Sequence, residues 1–187
     1  MRSFIAVPLP EECREILEQI QRPLRSLGTD VGWTSVSSIH LTLKFLGEID
    51  PNRVDEIASS LRPATVPAFK LRVRGLGAFP NLHSPRVIWC GVEGEIERLS
   101  SLQAGVETAC EGLGFERETR PFHPHLTLGR VRDKLAPGSA RAIAEAARGV
   151  HYRGRAVARS VELMASELTP QGSRYRVMAS LPLKGGS

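Results

Sequence analysis

His40-Leu41-Thr42-Leu43 recurs as His125-Leu126-Thr127-Leu128, 85 residues further along the chain. Both copies lie in segments predicted to be strands, and successive side chains of a strand point to opposite faces. Each copy therefore sends its histidine and threonine to one face and its two leucines to the other. The repeat predicts two similar halves that bring two imidazoles and two hydroxyls into a shared cleft, with the leucines anchoring the core.

Two histidines and two threonines on facing strands suit chemistry at a phosphodiester. Histidine has a reference pKa near 6.5, so one ring can be neutral while the other is protonated at the same pH. In-line displacement at phosphorus needs a base for the entering oxygen and an acid for the leaving oxygen. Threonine hydroxyls can hold the non-bridging oxygens. The residues alone do not assign which histidine is the acid.

Two other interpretations of the histidines stay open at this point. The tetrapeptide could recur by chance, with each histidine in a structural hydrogen bond. His123 and His125 could instead bind a metal from one face of a strand, although Asp133 is the nearest acidic residue that follows them and no thiolate is close in sequence. His83 and His151 occur in turn-like or polar contexts and are predicted to be surface residues.

The order of apolar periodicities predicts an α+β protein. Helical spacing occurs near residues 10–28, 50–61, 96–113 and 139–148. Strand patterns occur at 4–7, 39–46, 69–74, 86–92, 124–131, 156–165 and 175–183. Many of these strands alternate in polarity, which is typical of antiparallel sheets with one face open to solvent or a cleft. No segment resembles a linker, so we expect residues 1–187 to form a single domain of two closely packed lobes.

Composition and charge favour an anionic partner. The 187 residues are 41% apolar and 24% charged, which is enough for one core of ordinary size. The chain has 25 Lys and Arg against 20 Asp and Glu, and 21 of the basic residues are arginines. Residues 112–176 hold 12 basic and 6 acidic residues, so we expect the C-terminal half to bind the anion.

Cysteine usage and the N-terminus favour the cytoplasm. Cys13, Cys90 and Cys110 are an odd number without CxxC spacing, which predicts neither a disulfide framework nor a zinc ribbon. No stretch reaches the ~18 apolar residues of a membrane span, and the short apolar N-terminus ends at Pro8 without the pattern of a signal peptide. We expect a cytoplasmic monomer without membrane contact.

The chain resembles the two-histidine (2H) phosphoesterases, specifically the bacterial and archaeal RNA 2′,3′-cyclic phosphodiesterases formerly called 2′-5′ RNA ligases. The resemblance covers nearly the whole chain, and its specific mark is the pair of His-x-Thr-x copies at this separation. The supporting segments are Phe4-Ile5-Ala6-Val7, Trp33 ahead of the first copy, Gly77-Ala78-Phe79-Pro80, Arg86-Val87-Ile88-Trp89, and Arg120-Pro121-Phe122-His123-Pro124 ahead of the second copy.

The resemblance implies a bilobal, pseudo-symmetric fold in which two antiparallel sheets line a central cleft and helices pack outside. It also implies hydrolysis of an RNA 2′,3′-cyclic phosphate end, or a related cyclic nucleotide, to a 2′-phosphate without metal or cofactor. His40 would be the proton donor to the leaving 3′ oxygen, and His125 the proton acceptor that activates water. Thr42 and Thr127 would bind phosphate oxygens.

Residues beside the motifs carry further expectations. Arg130 could bind phosphate, but in a regular strand its odd offset from His125 points it away from the cleft unless a bulge re-aims it. Phe4, Phe45 and Phe122 could stack a base, with core packing as the favoured role of each.

Three arginines of the basic C-terminal half are expected to contact the RNA strand. They are Arg153, Arg155 and Arg159. Reversing their charges should raise KM with little effect on kcat.

Three competing functions use the same residues differently. RNA ligation would direct a 5′-hydroxyl instead of water at the phosphorus, and ATP-driven ligation is disfavoured because the sequence has neither a Lys-x-Asp-Gly segment nor a Walker loop. A non-catalytic RNA-binding module would leave the histidines structural, so its binding would weaken with salt and survive loss of His40 or His125. A phosphodiesterase acting on a small cyclic nucleotide would share the catalytic set.

Overall fold

Helices and strands are interleaved along the chain. A computed structural model describes residues 1–26, 30–133, 138–149, 154–169 and 172–185, and within them it contains four α-helices and nine strands. The helices are α1 (Glu11–Arg25), α2 (Val54–Leu61), α3 (Ile96–Glu111) and α4 (Ser139–Gly149). The strands are β1 (Arg2–Pro8), β2 (Val31–Trp33), β3 (His40–Glu48), β4 (Phe69–Phe79), β5 (Val87–Gly94), β6 (His125–Val131), β7 (Gly154–Ala158), β8 (Ser160–Thr169) and β9 (Gly172–Pro182). None of the helices in these ranges has the length and apolar character that crossing a membrane requires.

The strands form a strongly curled antiparallel sheet in the order β7-β4-β5-β6-β3-β1-β8-β9, with β2 paired to β6. The middle of the sheet is the junction of β3 and β6, where Leu41 pairs with Leu126. We call β3, β1, β8 and β9 the first half-sheet and β6, β5, β4 and β7 the second half-sheet. The predicted α+β class with antiparallel strands is confirmed.

The hydrophobic core lies between the helices and one face of this sheet. The four leucines of the two motifs are at most 4% exposed, as their period-two placement predicts. α3 buries Leu99, Leu102, Val106 and Cys110, and this helical spacing forms one apolar stripe against the sheet. The histidines and threonines of the motifs consequently lie on the opposite face, where each is only partly buried.

The segment predicted as one strand over residues 156–165 is two strands. β7 pairs with β4 in the second half-sheet, whereas β8 pairs with β1 and β9 in the first half-sheet. The chain changes half-sheet at Arg159, which lies between the two strands. The buried positions shift by one residue at this point, from Ala156 and Ala158 to Val161 and Leu163. The two consecutive polar residues Arg159 and Ser160 mark the change of partner strand.

Candidate active site

The two motif strands lie side by side in the middle of the sheet. Since Leu41 is opposite Leu126, one further step of the antiparallel register sets His40 opposite Thr127 and Thr42 opposite His125. The two histidines are then diagonal neighbours, a relation that separates residues on paired strands by roughly 7–8 Å. The structure brings the four predicted side chains together on one face.

Each histidine ring is oriented by a backbone carbonyl two residues earlier. His40 Nδ1 donates to the carbonyl of Ser38 at 2.8 Å, and His125 Nδ1 donates to the carbonyl of His123 at 2.7 Å. A carbonyl oxygen can only accept a hydrogen bond, so Nδ1 carries the proton in both rings. Nε2 is therefore the nitrogen that each ring can use to take or give a proton.

Aromatic rings pack against His40. Phe4 stacks on it, with ring centroids 4.5 Å apart and an interplanar angle of 22°. Tyr175 meets the imidazole edge-on at a centroid distance of 5.0 Å. Tyr175 belongs to β9, which lies three strands away from β3 in the sheet order, so only the curl of the half-sheet brings it here. Sequence reasoning missed Tyr175 because no spacing links it to the motif.

A second aromatic pair surrounds His125. Phe79 meets its ring edge-on at 5.0 Å, and Trp89 is tilted against it at 6.2 Å. Gly77 makes room for the indole, because a Cβ at that position would lie 2.3 Å from Trp89 ring atoms. The segments at residues 77–80 and 86–89, which support the family resemblance, therefore form walls of the site.

Burial lowers the pKa of both histidines. The pKa of His40 falls from 6.5 to about 4, because burial disfavours the charged ring more than its bond to the Ser38 carbonyl favours it. The pKa of His125 is lowered chiefly by burial, and further by the nearby charges of His123 and Arg130. Both rings are therefore neutral at pH 7 in the free protein.

A β-bulge in β3 changes the direction of the residues that follow the first motif. Ile5 of β1 pairs with Lys44 and Ala6 pairs with Thr42, so Leu43 is an extra residue in β3. Beyond the bulge, Lys44 turns into the interior and is 5% exposed. Phe45 returns to the cleft face.

The same bulge occurs at the same place in β6. Ile88 of β5 pairs with Gly129 and Trp89 pairs with Thr127, so Leu128 is the extra residue. Arg130 therefore returns to the face that carries Thr127. A bulge was the expected condition for Arg130 to reach the cleft and bind phosphate, and β6 has this bulge.

The three candidate stacking residues have different environments. Phe122 is half-buried against the core, so the favoured core role agrees with the structure for this residue. Phe4 is 2% exposed, but it is buried against His40 and Tyr175 on the cleft face and lies outside the hydrophobic core. The core role is wrong for Phe45, which is 65% exposed. The bulge at Leu43 is the reason, because it shifts Phe45 out of the alternation that a regular strand would follow.

Lys44 forms a buried ion pair that no sequence pattern predicts. Its Nζ donates to Glu107 Oε2 of α3 at 2.7 Å, and the two side chains are 3% and 4% exposed. Nζ also donates to the carbonyl of Glu116 at 2.8 Å, while the backbone N–H of Glu118 donates to Glu107 Oε2 at 3.2 Å. The pair ties β3 to α3 and to the segment that leads toward His123.

The remaining histidines differ in their distance from the paired rings, and His123 is next to His125. His123 is exposed, and its ring meets Phe79 and Trp89 edge-on at 5.5 and 5.1 Å. His83 is exposed, as predicted, and His151 lies outside the described residues. Within the described ranges, no three His, Cys, Asp or Glu side chains group as metal ligands would.

The arginines expected to contact RNA are only partly described. Arg153 and the side chain of Arg155 lie outside the described part of the chain, and the backbone of Arg155 pairs with Arg72. Arg159 lines a cavity of about 890 Å³ together with Lys70 and Arg72. These two residues come from β4, outside the basic segment that the composition singled out.

The family model of the LigT-like phosphoesterases matches the chain twice, over residues 7–89 and 91–175. Each matched segment contains one copy of the motif. The chain belongs to the LigT-like phosphoesterase family. This membership confirms the expected two-histidine family and the expected class of enzyme.

Two relatives are similar to the chain over nearly their whole length. A Thermotoga maritima protein named RNA 2′,3′-cyclic phosphodiesterase is 35% identical over 189 residues, which cover 100% of this chain and 97% of that protein. An Archaeoglobus fulgidus protein of the same name is 36% identical over 180 residues, covering 94% of this chain and 97% of that protein.

Solved structures show the same fold. A crystal structure of a Thermus thermophilus protein has a TM-score of 0.75 and 30% identity, and covers 98% of both chains. Escherichia coli LigT complexed with 3′-AMP has a TM-score of 0.75 and 25% identity, and covers 97% of both chains.

Proposed function

We propose that this protein hydrolyses RNA-terminal 2′,3′-cyclic phosphates to 2′-phosphates with two histidines and without a metal ion or cofactor. The observation that carries the proposal is the matched pair of rings, each held through Nδ1 on adjacent strands with Nε2 available to the cleft. The names of relatives such as the Thermotoga maritima protein support the substrate class. Residues 1–187 act as one domain in which each half-sheet supplies one histidine.

The reaction adds one water and opens the cyclic ester. His125 Nε2 takes a proton from water as the water oxygen bonds to phosphorus. His40 takes up a proton from solvent at Nε2 when the substrate phosphate binds, and it delivers this proton to the 3′ oxygen as the bond from phosphorus to that oxygen breaks. Thr42 and Thr127 hold the non-bridging oxygens, where negative charge accumulates. The products are a free 3′-hydroxyl and a 2′-phosphate.

The surroundings of the two rings support this division of roles. Burial lowers the pKa of His125, and the nearby charges of His123 and Arg130 lower it further, so this ring stays neutral and able to accept a proton. His40 is stacked on Phe4, and the face of an aromatic ring stabilises a cation. A bound phosphate raises the pKa of His40, because an adjacent anion favours the charged ring.

Two residues beyond the bulges complete the substrate site. Arg130 binds a phosphate oxygen, for which its planar guanidinium is well suited. Phe45 stacks on the terminal base, because an exposed aromatic ring on the cleft face offers a platform that any base can use. The protein works as a monomer in the cytoplasm, where its odd number of cysteines stays reduced.

The test is hydrolysis of an oligonucleotide with a 2′,3′-cyclic phosphate end in the presence of EDTA. His40→Ala and His125→Ala should each lower kcat by roughly 10²–10⁴-fold, since each removes one proton-transfer group. His83→Ala is the matched control, because this exposed histidine lies outside the site. The product phosphomonoester should be the 2′-phosphate.

Each alternative has its own signature in this assay. Unchanged turnover in either histidine variant would overturn the mechanism, and loss of wild-type activity on chelation would indicate a metal. Binding without turnover that survives both substitutions would indicate an RNA-binding module. A joined product on addition of a 5′-hydroxyl oligonucleotide would indicate ligation.

A further inference from the structure

The two half-sheets present different chemistry to the cleft. On the first half-sheet two apolar side chains of the cleft face are exposed: Phe45 is 65% exposed and Val177 is 48% exposed. Glu162 adds a carboxyl group there, since it pairs with Ala6, which in turn pairs with Thr42. On the second half-sheet the exposed side chains of β4 are Lys70, Arg72 and Arg74.

The strand register aligns the basic residues of β4 with the catalytic histidine of their own half-sheet. His125 pairs with Gly91, and Gly91 pairs with Arg74, so all three lie in one row on the cleft face. Two strand spacings separate His125 from Arg74, or roughly 10 Å. Gly91 has no side chain to obstruct the path between them. Arg72 lies two residues further along the same face, opposite Glu93.

This row continues into the cavity of about 890 Å³, which is lined by Lys70, Arg72 and Arg159. Two carboxylates also line the cavity, Glu12 and Glu95. Glu95 is already engaged, since it pairs with Arg98 at 3.0 Å and accepts the backbone N–H of Lys70 at 2.7 Å.

Glu93 takes up only part of the binding capacity of Arg74. Its carboxylate accepts from one nitrogen, Nη1, at 3.1 and 3.2 Å. A guanidinium has five N–H donors, so Arg74 keeps donors for a phosphate. The ion pair is exposed, at 57% and 49%, and exposed pairs of this kind are weak enough to rearrange around a ligand.

We propose that the RNA strand upstream of the terminal nucleotide follows β4, with successive backbone phosphates on Arg74, Arg72 and Lys70. The terminal base faces the first half-sheet. This inference rests on the proposed function and specifies its substrate class as single-stranded RNA ends of several nucleotides, in preference to cyclic mononucleotides. The phosphates follow the second half-sheet because its cleft face carries cations where the first half-sheet carries Phe45, Val177 and Glu162.

The experiment compares a 2′,3′-cyclic mononucleotide with cyclic-phosphate-ended oligomers of increasing length. For the wild type, kcat/KM should rise over the first added nucleotides. In Arg72→Ala/Arg74→Ala the ratio of oligomer to mononucleotide kcat/KM should fall by roughly tenfold or more, since two charge-assisted contacts are lost. The dependence of log KM on log salt for the oligomer should become shallower by about 1.4, which is the change for two phosphates of a single strand.

Arg174→Ala/Arg176→Ala is the matched control. These exposed arginines flank Tyr175 on β9, so they point to the face opposite the cleft and their loss should change neither substrate. Equal kcat/KM for short and long substrates in the wild type would overturn the inference while leaving the proposed hydrolysis intact. An equal loss on both substrates in Arg72→Ala/Arg74→Ala would also overturn it.

A binding measurement separates this inference from the proposed function. Fluorescence anisotropy of a labelled hexamer ending in a cyclic phosphate reports affinity whether or not turnover occurs. Weaker binding in Arg72→Ala/Arg74→Ala than in the control variant supports the path along β4, and equal binding refutes it. Absence of hydrolysis by the wild type on every substrate would refute the proposed function alone.

Discussion

β3 and β6 share the sequence His-Leu-Thr-Leu and the bulge at its last leucine, and they differ at the next two positions. Lys44 and Phe45 follow in β3, whereas Gly129 and Arg130 follow in β6. The bulge sends the first residue of each pair to the interior and the second to the cleft. The interior position therefore holds a buried cation in one half and no side chain in the other.

The two strands are alike at the histidine and threonine of the motif and differ at the two residues that follow it. The proposed reaction needs two proton-transfer groups on either side of one phosphorus, which fits the same histidine and threonine on both strands. The interior neighbours differ: Lys44 pairs with Glu107 of α3, whereas a Cβ at Gly129 would lie 2.7 Å from Val31 and 3.0 Å from Trp33 of β2. The cleft neighbours, an aromatic ring and a guanidinium, suit the two different ends of a nucleotide.

The largest expected effect lies at the interior position of β3. Lys44→Met should lower the free energy of unfolding by about 3–5 kcal/mol, because it leaves Glu107 buried without its cation. Lys44→Met/Glu107→Leu should recover part of this loss. Urea unfolding measures both. Arg141→Ala breaks an exposed pair with Glu145 and should leave the free energy of unfolding almost unchanged, because exposed ion pairs contribute little. An equally small loss for Lys44→Met would contradict the comparison.

The next effect is the loss of stability that His40 causes as the pH falls. The pKa of His40 is about 4 in the folded protein against 6.5 as reference, so the unfolded chain takes up a proton first as pH falls. As the pH falls from 6.5 to 4, protonation of His40 therefore stabilises the unfolded state first. The free energy of unfolding decreases by about 3 kcal/mol over this range. His40→Gln should lose less stability than the wild type on acidification, measured as the midpoint of urea unfolding at both ends of this range. Identical acid sensitivity of the two proteins would show that His40 is not buried in its neutral form.

The smallest expected effect is on substrate binding, and it distinguishes Phe45 from Arg130. Phe45→Ala should weaken binding of the terminal nucleotide by about 1–3 kcal/mol, which is the contribution of one stacked base. With a substrate that lacks the terminal base this effect should vanish, while the effect of Arg130→Ala on KM should persist. Arg130→Ala should also raise the pKa of His125, seen in the pH dependence of kcat/KM, because it removes a neighbouring cation. If both variants respond alike to loss of the base, Phe45 is not the stacking platform.

Sequence periodicity predicted the parts of the site that follow local rules. The alternation in His40-Leu41-Thr42-Leu43 predicted which side chains face the cleft, and the strand register bears this out. The same alternation fails from Lys44 onward, because a bulge adds a residue that no local pattern marks. The strand change at Arg159 does leave a local sign, because the buried positions shift by one residue there.

Local sequence was enough to place two histidines and two threonines at strand spacing, and the family match at residues 7–89 and 91–175 covers both copies. Tertiary structure decided which residues surround these four side chains. The curl brings Tyr175 from β9 to His40, and the bulges bring Phe45 and Arg130 to the cleft. Such positions depend on which strands pair and in what register, and pairing is set by contacts between residues far apart in the chain.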